Sequence, residues 1–169
     1  GGETRFVSHG TLSVDDPTPV DEHTLFEAGS ITKVFINLVL AKLANDGLID
    51  INAPIRSYLP EGVVLPKAED REITAFDLAT HTAGLSGLPE DLLARGLDNP
   101  YSGYGAEGLL AWLASYQLPR EIGSEFEYSN VGAALIGMAI EEVTGKDFET
   151  VVSETIFGPL GMDESNLAM

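Results

Sequence analysis

The apolar residues of this chain recur at helical rather than strand spacing, and nothing else in the sequence constrains the fold as much. From Ile31 to Asn45, Phe35, Leu38, Val39 and Leu43 stand three or four positions apart, and Gly47 follows where a helix would end. Ala106 to Leu118 repeats the pattern with Leu109, Leu110, Trp112, Leu113 and Tyr116, stops before Pro119, and is expected to pack against the first helix. Val131 to Thr144 mixes small and large apolar residues and stops at Gly145; Phe148 to Phe157 reads as a last helix, ended by Gly158-Pro159. Between these, Pro54, Pro60 and Pro66 impose turns, and Thr74 to Thr80 reads as a short helix with Thr74 as cap and Asp77 three residues on. One segment reads as a strand, Thr4 to Val14, β-branched and aromatic around Gly10, and it lacks a hairpin partner; Asp15 to Glu22, with Pro17 and Pro19, is a loop. No internal repeat or low-complexity stretch interrupts this order.

Composition then removes whole classes of function. Among 169 residues, 27 acidic side chains against 9 basic give a net charge of −18, yet 44% of residues are hydrophobic, enough to form a core. No apolar run approaches the roughly 18 residues that cross a bilayer. With no cluster of lysine or arginine, the chain lacks the dense positive charge that nucleic-acid phosphates need, which argues against that class of partner. The absence of cysteine excludes disulfides, thiol nucleophiles and zinc-thiolate sites. The acidity reads as a well-solvated surface. Length fits one domain, residues 1–169, and both ends look cut, since the chain starts at Gly1-Gly2 without an initiator Met.

Ser30 is the one serine followed three residues later by a lysine, Lys33, at a point where loop gives way to helix. That spacing puts both side chains on one helical face, where an amine can take the hydroxyl proton. The positive end of the helix dipole disfavours an ammonium there and so helps keep Lys33 neutral and able to act as a base, and the Ser30 N–H can face an oxyanion. Chance alone yields about 0.3 such pairs in a chain of this composition, and a capping serine beside a solvent-facing lysine is the plain alternative. A second signal comes from Tyr128-Ser129-Asn130. In extended backbone a spacing of two points both outer side chains the same way, so a phenol that relays protons and an amide that binds substrate share a pocket. The plain alternative here is a packing aromatic followed by an asparagine that caps the helix beginning at Val131.

Around these residues the sequence resembles a known family. Phe26-Glu27-Ala28-Gly29-Ser30-Ile31-Thr32-Lys33 is similar to the nucleophile segment of the serine β-lactamase and penicillin-recognising family, in its class C-like branch. Leu78-Ala79-Thr80-His81-Thr82-Ala83-Gly84-Leu85 resembles the segment between that branch's two catalytic motifs. Gly123 to Gly145 resembles the second motif with its following helix, and Ile156 to Met162 the ending of the next one. The resemblance implies an α+β fold of which this chain is a mainly helical part, with the first strand and most of the central antiparallel sheet absent. It implies a Ser30 nucleophile acylated by a β-lactam, a D-Ala-D-Ala-type peptide or a small ester, with Lys33 and Tyr128 sharing proton transfer, Asn130 orienting the substrate, and water releasing the acyl group. Which of Lys33 and Tyr128 is the working base stays open. No cofactor or metal is implied, and a periplasmic or secreted location is.

Two departures stand out. Ile122 precedes Gly123 where the family often has proline, which loosens a turn. The family's third motif, a Lys-Thr-Gly-like or His-x-Gly-like strand, has no counterpart before Met169. The chain is therefore expected to be a fragment, a cleaved piece, or a chain whose missing strands come from another molecule, and to be an incomplete hydrolase alone. A catalytically silent relative that binds peptidoglycan-like or acyl ligands, or supports another protein, is the competing expectation.

Other patterns receive no role. Gly103-Tyr104-Gly105-Ala106-Glu107-Gly108 fits GxGxxG but follows Asn99-Pro100 rather than a strand. His9, His23 and His81 lack ligand spacing, and His81 reads as a hydrogen-bonded structural residue. Glu141-Glu142 and Asp163-Glu164 read as solvated surface.

Overall fold

The computed structural model describes residues 2–3, 5–69, 71–94 and 103–167. Its centre is helix α5, Asn130–Thr144, on which Leu135, Ile136, Ala139 and Ile140 are each at most 1% exposed. These residues are interior because α5 is covered on several sides, by α1 (Thr32–Asn45), α2 (Ala75–Ala79), α6 (Phe148–Val152) and the 3-10 turn Ile55–Tyr58. Gly47 and Gly145, at φ 74° and 67°, end α1 and α5 in the left-handed conformation that glycine adopts without strain. A further short helix, α3, spans Glu90–Leu93.

Helix α4, Ala106–Ser115, buries Leu109 and Leu113 in the same core. It does not take α1 as its main partner, as its periodicity suggested. Tyr104 to Leu109 instead face Val131, Ala134 and Met138 of α5 across an apolar cleft, while α1 packs on α5 and α6. α4 also ends short of Leu118. Tyr116 turns extended at ψ 136°, with its ring 4.4 Å from that of Trp112, and Pro119 disfavours a return to helical backbone at Leu118.

Two more expectations change. The last helix continues through Gly158-Pro159: α6 widens into a π turn over Ser153–Phe157, then resumes as α7, Gly158–Leu160, before Gly161 at φ 65°. The wider turn accommodates a proline that lacks an N–H to donate, and a Cβ at Gly158 would meet the Ser153 carbonyl oxygen at 3.2 Å. The described part of the Thr4–Val14 segment forms no strand. Gly10 at φ 101° and the Ser13 hydroxyl, which accepts from the N–H groups of Asp15 and Asp16, fold it back so that Thr11 bridges only Pro19. Thr4, Asn99-Pro100 and Met169 lie outside the described residues. Among the described residues there are two isolated bridges, Thr11 with Pro19 and Pro54 with Thr74, and no strand. No helix among them is long and apolar enough to cross a membrane.

The corner at α2 matters for the site. Thr74 and Asp77 form the expected reciprocal cap, with Thr74 Oγ1 accepting from Asp77 N at 3.2 Å and Asp77 Oδ2 accepting from Thr74 N at 2.9 Å. Asp77 is 3% exposed and its charge is met by Arg71. At the other end His81 N donates to Leu78 O at 3.2 Å and Thr82 N to Asp77 O at 2.8 Å, the paired bonds that close a helix through a left-handed residue. That residue is His81, at φ 59°.

Candidate active site

Ser30 sits in a 3-10 turn, Gly29–Ile31, that leads into α1, with Gly29 at φ 53° supplying the bend. The turn puts the Ser30 N–H where backbone donors lack helical partners and sets Lys33 one turn further on. Lys33 Nζ reaches Ser30 Oγ at 3.4 Å and donates to Asn130 Oδ1 at 2.5 Å. The Tyr128 hydroxyl donates to Ser30 Oγ at 2.6 Å, and Lys33 Nζ lies 4.6 Å from the Tyr128 ring centroid. All four side chains singled out from sequence thus converge, across 98 positions between Ser30 and Tyr128.

The second segment owes its shape to Ser129. It is extended, at φ −131° and ψ 122°, and only 3% exposed, pointing away from its two neighbours. Its hydroxyl donates to Ser86 O at 2.7 Å and accepts from Gly132 N at 3.1 Å, so Ser129 caps α5. The alternative of Asn130 as cap is thereby corrected: Asn130 is the first residue inside the helix, its N–H donates to Gly87 O at 3.0 Å, and its amide side chain faces Lys33.

His81 joins this group beyond what its sequence position revealed. Its ring lies 4.7 Å from that of Tyr128, its Nδ1 accepts from Ser129 N at 3.2 Å, and its carbonyl accepts from Glu127 N at 2.8 Å. It stands within the Leu78–Leu85 segment, but the left-handed backbone that aims it has no marker in the sequence. Close by, the buried Ile122 and Gly123 at φ 85° form a turn fixed by the bond from Gly123 N to Thr82 O at 2.8 Å, which the proline otherwise frequent there is not needed to hold.

Two ionisable groups at this point are shifted from their ordinary values. Hydrogen bonding to Lys33, then to Ser30, holds the Tyr128 phenol below its ordinary value of 10.0. Burial, followed by the nearby Lys33 charge, pushes the His81 imidazole below its ordinary 6.5. Ser30 is exposed and Tyr128 42% exposed, so a carbonyl carbon can approach the hydroxyl while an amine or a phenol accepts its proton.

Elsewhere, His23 Nδ1 pairs with Glu164 Oε1 at 2.9 Å, and Glu141 Oε1 accepts from Phe148 N at 2.9 Å, so two of the surface acids also tie segments together. Among the described residues no group of three or more His, Asp or Glu side chains could hold a metal ion. In the glycine cluster, Gly108 lies within α4, where an added Cβ would meet the Tyr104 ring at 3.4 Å, a packing contact rather than a phosphate cradle.

Comparison with known proteins agrees with the fold. The Beta-lactamase family model matches residues 1–168. A β-lactamase of Yersinia enterocolitica is 29% identical over 164 residues, 97% of this chain and 39% of the relative. The D-alanyl-D-alanine-carboxypeptidase/endopeptidase AmpH of Escherichia coli K12 is 28% identical over 166 residues, 98% of this chain and 42% of the relative. A penicillin binding protein from Bacillus halodurans superposes with a TM-score of 0.80 over 99% of this chain and 50% of its own, at 24% identity, which shows the fold. The chain belongs to the Beta-lactamase family, whose members are serine hydrolases. It spans about 40% of the length of the curated relatives it matches.

Proposed function

We propose that the protein is a serine hydrolase of the class C-like branch that works through an acyl group on Ser30, with β-lactams, D-Ala-D-Ala-type peptides or small esters as its substrates. What carries this reading is the convergence on one Ser30 oxygen of a phenol at 2.6 Å and an amine at 3.4 Å, the amine itself held by Asn130. Tyr128 and Lys33 act as a coupled pair: one of them takes the Ser30 proton as Oγ bonds to the substrate carbonyl carbon. The tetrahedral adduct collapses, the carbonyl carbon's bond to the leaving nitrogen or oxygen breaks, and the same pair returns the proton to that atom. Water, deprotonated by the pair, then attacks the ester and restores the serine. Asn130 both fixes Lys33 and offers its amide N–H to a substrate carbonyl.

Residues 1–169 are, on this reading, one part of a domain whose remaining strands lie elsewhere in the polypeptide. Support comes from a groove of about 1080 Å³ between residues 22–35 and 148–167, where the exposed Phe26 stands over the half-buried Phe35, Phe148 and Met162, an apolar lining that a further segment could cover. A periplasmic or secreted site of action fits substrates that are cell-wall peptides or antibiotics.

The test is turnover by the full-length protein of three substrates: a chromogenic cephalosporin, a D-Ala-D-Ala peptide and a nitrophenyl ester. At least one is expected to be hydrolysed, and Ser30→Ala is expected to lower that rate at least about a thousandfold. Rates that Ser30→Ala leaves unchanged overturn the proposal.

A further inference from the structure

Tyr128 is gripped from behind by one residue. In extended backbone, N–H groups two positions apart point the same way, and those of Glu127 and Ser129, flanking Tyr128, both end on His81. Glu127 N donates to the His81 carbonyl at 2.8 Å and Ser129 N to His81 Nδ1 at 3.2 Å. The imidazole backs the phenol at 4.7 Å and meets Phe126 edge-on at 5.6 Å. His81 makes these contacts from a backbone position that normally belongs to glycine, the left-handed residue after a helix end, and it is the only non-glycine residue with positive φ among those described. A side chain retained where glycine fits best points to a task that the side chain performs.

We propose that His81 is the positioning residue for Tyr128, holding the phenol on the Ser30 oxygen by clamping the backbone on both sides of it. This rests on the proposed roles of Ser30 and Tyr128. The clamp works in one tautomer: an Nδ1 that accepts the Ser129 N–H leaves the ring proton on Nε2. Protonation of Nδ1 turns the acceptor into a donor facing another donor, and sets a second cation beside Lys33. The groups that face the ring are Lys33 from α1 and the Tyr128 phenol. The Glu127 carboxylate is engaged by Arg120, and Asp77 on α2 by Arg71 and Thr74. Burial and Lys33 favour the neutral ring, so the clamp is closed at neutral pH and opens as pH falls below 6.5 toward the lowered value of His81.

Three variants of the full-length protein separate positioning from simple support, read by the rate at which a fluorescent penicillin or a fluorophosphonate acylates Ser30. His81→Gly relieves the backbone, so Tm is expected to stay within about 3 °C, while acylation slows about a hundredfold through loss of alignment. His81→Asn tolerates the left-handed conformation and offers an oxygen near the place of Nδ1. It is expected to recover to within about tenfold of the parent and to lose the acid limb of the pH profile. His81→Phe keeps a ring against Tyr128 without an acceptor and is expected to behave as His81→Gly in rate. Acylation by His81→Gly within about threefold of the parent overturns the proposal, as does a loss that accompanies a collapse in Tm and that asparagine does not repair. Nitrogen NMR decides the point independently of acylation. An Nε2–H tautomer whose titration shifts the Tyr128 ring signals supports the clamp, and independent titration of the two contradicts it. A parent protein with no acyl adduct overturns the role of Ser30 while leaving this second readout intact.

Discussion

Residues 5–28 and the helices after them are held together by different means. In the first region the backbone bonds are local, Leu12 N to Thr18 O and Val20 N to Gly10 O, and the apolar side chains face outward, with Val7 97%, Val14 100% and Phe26 74% exposed. In the second, side chains from α1, α2, α4, α5 and α6 close on one core. Ser30 lies at the seam, yet each side chain bonded to its oxygen belongs to the helical region, Lys33 on α1 and Tyr128 before α5. The lesson is that the reactive cluster is positioned by the helices, and the segment before it leads in without setting the geometry.

The largest effect that sharpens this contrast is at Tyr128. Tyr128→Phe keeps the ring and removes one member of the proposed proton-transfer pair, so acylation of Ser30 is expected to fall about 10²–10⁴-fold. In the parent the rate should climb with pH as the phenol ionises and level off below 10.0, because Lys33 and Ser30 lower its value; a stopped-flow pH profile checks both. Leu135→Ala, at a position 0% exposed on α5, is expected to cost about 2–5 kcal/mol in urea unfolding. Removing the Thr74 cap with Thr74→Ala is expected to cost about 1 kcal/mol in the same measurement.

At the small end, Val14→Ser is expected to change stability by less than about 0.5 kcal/mol and to leave acylation unaltered. A loss there comparable to that of Leu135→Ala would break the contrast between the two regions. The bond from His23 to Glu164 is a tether between the leading segment and the turn after α7. Hydrogen bonding to Glu164 raises the His23 value, so the tether is fully present below 6.5 and is lost as pH rises through the raised value. Limited proteolysis of residues 5–28 should therefore speed up across that window in the parent, whereas Glu164→Gln should flatten the dependence.

The same division explains what could be read from the sequence. α1, α2 and α5 were legible because their signals are local: apolar spacing, a Thr74–Asp77 cap, and glycines at 47 and 145. Ser30 with Lys33, and Tyr128 with Asn130, were legible as pairs because a helical turn and an extended step fix their directions. That the pairs meet depends on α1 packing against α5, which spacing does not encode. The strand expected up to Val14 failed because β-propensity without a partner strand yields to turn bonds, here those of Ser13. The π turn before Gly158 and the partner of α4 failed for a related reason, since both are settled by tertiary packing. His81 looked structural because its hydrogen bond to Ser129 is structural, and only the folded chain places that bond beside Tyr128.

The central claim is chemical and has a direct readout: the site of covalent attachment when the full-length protein meets a β-lactam or a fluorophosphonate, located by peptide mass spectrometry. The account predicts one acyl or phosphonyl group, carried by Ser30, absent from Ser30→Ala and slow to appear in Tyr128→Phe. A group found on another residue, or one that forms equally fast in all three proteins, contradicts it.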